Sequence, residues 1–216
     1  DSNYILLNIY VYIMRMEVFG MPPRAKFTRE EIVDAGLRIV RRRGMGGVTA
    51  RELGAELGSS ARPVFTVFQS MEEVQEEIVK AAREVYNRSV KRGLEQDMAF
   101  RSVGMEYIRF AQREPQLFRL LFMTEREEMP DVKDVLFAID DNHEEILQSV
   151  REQYGLSDED AWTLYRHLWV YTHGIAALCA TNVCSFEEKE TEKMMTEVFT
   201  GVLKNIKAGE RHDQSL

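Results

Sequence analysis

Cysteine is nearly absent from this chain of 216 residues, with Cys179 and Cys184 the only two. No second pair exists to make a disulfide framework or the paired ligand spacing of a zinc site, so a reducing cytoplasm is the expected location. The few histidines do not supply a metal site either. His167 and His173 fall on different faces of a helix, and neither has a carboxylate four residues away. A Gly-rich phosphate loop, a nucleophile elbow and a Cys/His pair in a catalytic context are all missing, which argues against an enzyme and against a bound cofactor. Long apolar runs are missing too. The stretch from Ile5 to Met14 is apolar but shorter than the roughly 20 residues a membrane helix needs, and no Lys or Arg precedes it as in a signal peptide. Residues 1–20 are read as an extension outside the functional fold, with Met21-Pro-Pro a natural start.

With 44% hydrophobic residues the chain can bury a substantial core. Its net charge is −8, but the charge is unevenly placed. From Pro22 to Ser70 there are nine basic residues and five acidic ones, so this stretch carries +4 and the remainder −12. A basic head on an acidic body suits local phosphate binding with little general attraction to nucleic acid. Within it, Arg41-Arg42-Arg43 serves either as a helix C-terminus matched to the dipole or as a phosphate contact.

The head has its own punctuation. Thr28 with Glu31 forms a capping box ahead of Ile32, Ala35, Gly36, Ile39 and Val40 at helical spacing, and Gly44 ends that helix. After a loop in which Val48 plugs the small core, Thr49 with Glu52 opens a second helix that places Leu53 and Leu57 on one face. Gly58 supplies the left-handed residue that ends it. Ser60 is expected to cap a third helix, with Pro63 tolerated in its first turn. Val64 and Phe68 face inward there and Arg62, Phe65, Thr66 and Gln69 face outward. Two helices meeting through a Gly-containing turn form a helix-turn-helix, whose second helix enters the DNA major groove.

The run from Phe27 to Ile78 resembles the DNA-binding domain of the TetR/AcrR family of transcriptional repressors, matched at Thr49, Arg51, Leu53, Leu57, Gly58, Ser60, Phe65, Phe68 and Val74. Val67 and Met71 depart from it, standing where the family commonly has a basic or aromatic residue and a Lys. The candidate DNA contacts are Thr49, Arg51, Ser60, Arg62, Phe65, Thr66 and Gln69, reaching bases or phosphates of a double-stranded operator.

Beyond the head the pattern stays helical, with no convincing alternating strand. A long helix from Met71 to Arg92 carries Val74, Ile78, Ala81 and Val85 inward and ends at Gly93. Further helices are expected over Met98–Arg113, Gln116–Thr124, Val132–Tyr154, Ser157–Asn182 and Glu187–Ala208. The last two carry more apolar surface than one small bundle hides, and the resemblance implies that they pair with a second copy as a homodimer. A pocket for a small hydrophobic effector is expected among Tyr107, Phe110, Phe118, Phe122, Trp169, Tyr171 and His173.

The expectation is therefore an all-α protein: an extension (1–20), a three-helix helix-turn-helix head (21–70), a ligand-binding and dimerisation bundle joined to it by a long helix (71–210), and a polar tail (211–216). It would act as a repressor released from a palindromic operator by the effector. The alternative is a helical sensor whose helix-turn-helix contacts protein instead.

Overall fold

The computed structural model describes residues 25–125, 130–139 and 141–213, so the expectations for residues 1–20 lie outside it. Among the described residues the chain is all-α, with two short 3-10 segments and no strand. Helix α1 (Arg29–Arg43) starts as its sequence dictates: Thr28 Oγ1 accepts the Glu31 N–H at 3.1 Å, and Glu31 returns the bond to the Thr28 N–H at 2.8 Å. It ends at Gly44, whose φ of 71° suits a residue without a Cβ. A 3-10 turn (Met45–Gly47) leads to Val48, which is buried in the head core, and then to α2 (Ala50–Glu56).

The third member of the head is not the α-helix expected from Ser60 onward. It is a 3-10 helix, Arg62–Thr66, preceded by Ala61 in the N-cap position, and Ser60 makes no capping bond. Pro63 has no N–H to give to an α-helical ladder, and the segment instead closes through the Val64 N–H to the Ala61 carbonyl and the Val67 N–H to the Val64 carbonyl, both at 3.1 Å.

Helix α3 (Met71–Leu94) follows, capped by Ser70. Its buried stripe begins with Val74 and Ile78 as expected but continues through Ala82, Tyr86 and Val90, leaving Ala81 and Val85 only partly buried. Strict i+4 steps carry the stripe round the helix, because Tyr86 is drawn into a body-side cluster of aromatic rings. Gly93 does not end the helix; Glu95 does. The glycine lets α4 (Ala99–Arg113) approach, since a Cβ there would lie 2.8 Å from both Cα and N of Val103.

Glu114 and Pro115 turn the chain into α5 (Pro115–Phe122), where Leu117 and Phe118 are fully buried. The single helix expected over Val132–Tyr154 is two, α6 (Val132–Ile139) and α7 (His143–Tyr154), separated at a turn containing Asp141 and Asn142. Short polar side chains compete for the backbone and favour such breaks, while the apolar spacing runs across the break unchanged. Helix α8 (Asp158–Ala180) is capped by Ser157 Oγ accepting the Asp160 N–H at 3.2 Å. Helix α9 (Glu188–Asp213) runs past Gly209, where the sequence suggested a polar tail.

A continuous apolar cluster runs from the head through α3 into the body. The head also grips α5 directly: Arg41 makes a bidentate pair with Glu114, with Nε to Oε2 at 2.9 Å and Nη2 to Oε1 at 2.9 Å.

Candidate nucleic-acid interface and ligand cavity

Helix α2 and the 3-10 segment are set by close backbone contact. Gly54 presses on the turn so tightly that a Cβ would stand 2.6 Å from the Ser60 carbonyl carbon, and the Ser59 N–H donates to the Gly54 carbonyl at 2.7 Å. Gly58 makes the turn with φ 63°. Val64 and Phe68 anchor the segment in the core. The Arg29 guanidinium lies 4.2 Å over the Phe68 ring while pairing with Glu73 at 2.8 Å. Glu73 also accepts the Gln69 N–H at 2.7 Å, and this bond first, then Arg29, holds its carboxyl below the usual range. Glu73 thus ties the end of the candidate reading segment to α1.

The seven candidate DNA contacts belong to this unit. Thr49, Arg51, Ser60, Arg62, Phe65, Thr66 and Gln69 are all exposed. Phe65 keeps 49% of its surface accessible, unusual for an aromatic beside a well-packed core. Thr49 Oγ1 accepts the Glu52 N–H at 3.2 Å, and Thr66 Oγ1 donates to the Pro63 carbonyl at 2.6 Å, so both hydroxyls also serve local structure. Glu52 does not return Thr49's bond; it pairs with Arg43 at 2.9 Å. Arg38 and Arg42 both pair with Glu56, whose carboxyl they hold low, Arg42 first. The arginine run of α1 is therefore engaged within the chain. Arg51 and Arg62 have no ion pair among the described residues. Val67 and Met71, the departures from the family pattern, pack partly buried against the core.

The body encloses a cavity of about 200 Å³ among α3, α4, α7, α8 and α9, with a lining that is largely apolar. Of the residues anticipated for a pocket, Tyr107 and Trp169 form part of its wall. Phe110, Phe118, Phe122 and His173 are packed behind it: Phe118 lies 5.4 Å from Tyr107 and 4.9 Å from Phe122, and His173 stacks on Trp169 at 5.0 Å. Tyr171 does not reach the wall. His173 Nδ1 is 2.9 Å from the Tyr107 hydroxyl, and burial pushes the pKa of its ring down. In the tautomer with its proton on Nε2, the neutral imidazole accepts a hydrogen bond from the Tyr107 hydroxyl at Nδ1.

Sequence reasoning passed over several wall residues, notably Arg101, Tyr154, Tyr165, Thr172, Met195 and Phe199. Met195, Phe199 and Tyr154 were visible as apolar rows, but spacing along single helices cannot show which rows face a common space. Among the described residues no three His, Cys, Asp or Glu side chains gather to hold a metal ion, and no helix is long and apolar enough to cross a membrane.

Outside the cavity, α8 leaves Val170 and Leu178 exposed, and Val183 just beyond it is 69% exposed. Of the apolar rows of α9, Met195 is buried, whereas Val198, Val202, Leu203 and Ile206 are only partly covered by their own subunit.

Residues 100–203 match the model of the tetracyclin repressor-like C-terminal domain. A search of curated proteins finds no match. Among solved structures, the fold is shared with a protein of Vibrio parahaemolyticus assigned to the TetR family of transcriptional regulators, at 14% identity and a TM-score of 0.57 over 80% of this chain and 96% of that one. It is shared also with the fatty acid degradation regulator FadR of Bacillus halodurans (12% identity, TM-score 0.54, 85% and 96% covered). A third, a TetR-family assignment from Mesorhizobium loti, gives 17% identity and a TM-score of 0.55 over 85% and 98%. Residues 100–203 are thus a tetracyclin repressor-like C-terminal domain, joined to a helix-turn-helix head in the fold that those regulators share.

Proposed function

We propose that this chain is a homodimeric, cytoplasmic, DNA-binding repressor, a binding protein and not an enzyme. It leaves a palindromic operator when a small hydrophobic effector enters the body. The observation that carries the DNA-binding half is the two-sided reading segment: Val64 and Phe68 are buried while Arg62, Phe65, Thr66 and Gln69 are exposed, with Arg62 in no ion pair among the described residues. On this reading residues 21–70 bind DNA and residues 71–210 bind the effector and dimerise. Arg51 and Arg62 reach phosphates or a guanine edge, Thr49 and Ser60 bond phosphates, Thr66 and Gln69 read base edges, and Phe65 packs on a sugar or thymine methyl. The partly covered rows of α8 and α9 meet their copies. A two-fold dimer then presents two reading segments to half-sites about 34–36 Å apart.

The cavity is the effector site in this scheme. Tyr86 on its wall belongs to α3, the same rigid rod whose Glu73 holds Gln69 and Arg29. Phe118 and Phe122, whose rings pack at steep angles against Tyr107, belong to α5, beside the Glu114 that grips Arg41. A ligand that separates the cavity walls therefore displaces the head through two connections, and its differential affinity for the two spacings sets how far the dimer leaves DNA. One structural relative is a regulator of fatty acid degradation, which fits a hydrophobic effector.

The test is a fluorescence-anisotropy titration against fragments flanking the chain's own gene, with bound sequences selected from a random pool as a second source. A palindromic consensus bound by the dimer, with affinity falling as salt rises, is the expected result. Failure to enrich any sequence, with helix-turn-helix variants retaining binding to a captured protein, would replace this reading with the protein-contact alternative.

A further inference from the structure

The cavity wall is built largely of rings. Seven of its residues are aromatic, drawn from α3, α4, α7, α8 and α9, and they interlock. Tyr86 meets Tyr107 edge to face at 5.9 Å, and Phe100 meets Tyr165 in the same way at 6.2 Å. A further ring entering the space continues that pattern of edge and offset contacts.

Polar groups of the inner wall are taken up within the chain. The Tyr107 hydroxyl bonds His173 Nδ1 at 2.9 Å, and the buried Thr172 Oγ1 donates to the Leu168 carbonyl of its own helix at 2.6 Å. Tyr86 and Tyr165 are not free either. Tyr154 contributes its ring alone, because its oxygen is closed off from the open space. Among the described residues Arg101 is the one charged side chain on the wall. It is 47% exposed and pairs at 3.8 Å with Glu192, which is not part of the wall, so its charge stands at the rim. An ion passing that rim would lose its hydration and meet no counter-charge inside, which opposes its entry. An uncharged apolar molecule gains by leaving water.

Volume sets the size of the occupant. An apolar cavity of about 150 Å³ holds one benzene ring, or about 25 Å³ for each carbon. At the same room per atom, about 200 Å³ takes about eight non-hydrogen atoms, a ring with a short arm or a small second ring. Gly104 helps to keep this space open. A Cβ on it would meet only Met195 Cε at 3.2 Å and Thr172 Oγ1 at 3.9 Å, both from wall residues, so a larger side chain there grows into the chamber.

We propose that the cavity takes a compact, uncharged aromatic molecule of one ring or one small fused pair, held by ring packing and apolar burial. This rests on the reading of the cavity as the effector site and names the chemical class of its occupant. Selectivity comes from the absence of a counter-charge and from the size of the space.

The experiment is calorimetric titration of the full chain, without DNA, with five probes: ethylbenzene, indole, benzoate, benzylammonium and biphenyl. Ethylbenzene and indole are expected to bind about tenfold or more tightly than the two ions of similar size. Biphenyl is expected to bind no more tightly than ethylbenzene despite its larger apolar surface, because it exceeds the space. Gly104→Leu should weaken ethylbenzene about tenfold or more while the chain still melts cooperatively. Met195→Ala, which enlarges the same space, should make biphenyl the tighter ligand, and it decides the location if Gly104→Leu does not fold. The proposal is overturned if benzoate or benzylammonium matches ethylbenzene, if biphenyl outbinds ethylbenzene in the unaltered chain, or if neither ethylbenzene nor indole binds. Undiminished ethylbenzene binding in folded Gly104→Leu, or an unchanged order of ligands in Met195→Ala, overturns it as well. Because DNA is absent, those results leave the DNA-binding reading standing. Conversely, the expected ligand order with no effect on a DNA complex supports the ligand class and sinks the repressor mechanism.

Discussion

Gly93→Ala is the sharpest test of how α3 and α4 are packed. The added Cβ would lie 2.8 Å from both Cα and N of Val103 and 3.0 Å from the Ser102 carbonyl carbon. All three are backbone atoms of one helix, which cannot rotate away as a side chain can. Two effects oppose each other. Replacing a helical glycine by alanine gains up to about 1 kcal/mol from propensity. Forcing a methyl into a filled helix crossing costs about 1–3 kcal/mol. Gly104→Ala separates them, because a Cβ there meets only the flexible Cε of Met195 at 3.2 Å and Thr172 Oγ1 at 3.9 Å. The propensity gain is common to both, so the difference between the variants isolates the steric cost: Gly93→Ala should be the less stable by about 1–3 kcal/mol, or roughly 2–12 °C in Tm for a chain of this size. Thermal and urea unfolding followed by circular dichroism at one fixed protein concentration measures both. If Gly93→Ala is at least as stable as Gly104→Ala, the close approach of α3 and α4 is not what requires the glycine.

Further expectations follow from the same contacts. Arg62→Ala should weaken binding to a selected operator by about 1–3 kcal/mol in a gel-shift titration while leaving the melting curve unchanged, since the side chain is exposed and makes no ion pair among the described residues. Val170→Asp should convert the proposed dimer to a folded monomer in light scattering, because that side chain is 53% exposed and charging it disturbs no core contact within the chain. Burial lowers the pKa of His173 in the folded state, so the unfolded chain binds a proton first. Stability is therefore full above the ordinary value of 6.5 and falls as pH drops through it, by at most about 1.4 kcal/mol per pH unit, until the folded-state value is passed. His173→Phe should flatten that part of the stability-against-pH curve whatever it does to stability at pH 8.

Local signals were legible where the structure is decided locally. The Thr28 and Ser157 caps, the Gly44 and Gly58 stops and the inward face of α1 could be read directly, because each depends on residues within a turn or two. What escaped was tertiary. The spacing from Val135 to Tyr154 continues through Asp141 and Asn142 without a hint that the chain turns there. Ser60 stands at a cap-like distance from the reading segment, yet Pro63 and the pressure of Gly54 on the Ser60 backbone leave a 3-10 segment instead. Tyr107 and Trp169 were recognisable as large aromatics on buried faces. Arg101 and Tyr154 were not, because they sit on different helices and acquire meaning only when the fold brings both to one cavity.

The charge of the head shows why composition overstates its grip on DNA. Nine basic residues between Pro22 and Ser70 suggest a strongly cationic surface. Yet Arg29 pairs with Glu73, Arg38 and Arg42 with Glu56, Arg43 with Glu52 and Arg41 with Glu114. Five arginines thereby fasten α1 to α2 through Glu52 and Glu56, to α3 through Glu73 and to the start of α5 through Glu114. Lys26 donates to Ser59 Oγ at 3.0 Å, and with Arg51 and Arg62 it makes three outward cations among the described residues of each head. Each phosphate neutralised contributes about −0.9 to the slope of log K against log salt, so a dimer using these three on each side should show a slope near −5, against about −16 if all nine engaged. A measured slope close to the larger figure would mean that DNA breaks the internal pairs of α1. A slope near the smaller one leaves the arginine run as the brace that holds the reading segment in place, with discrimination resting on Arg62, Thr66 and Gln69.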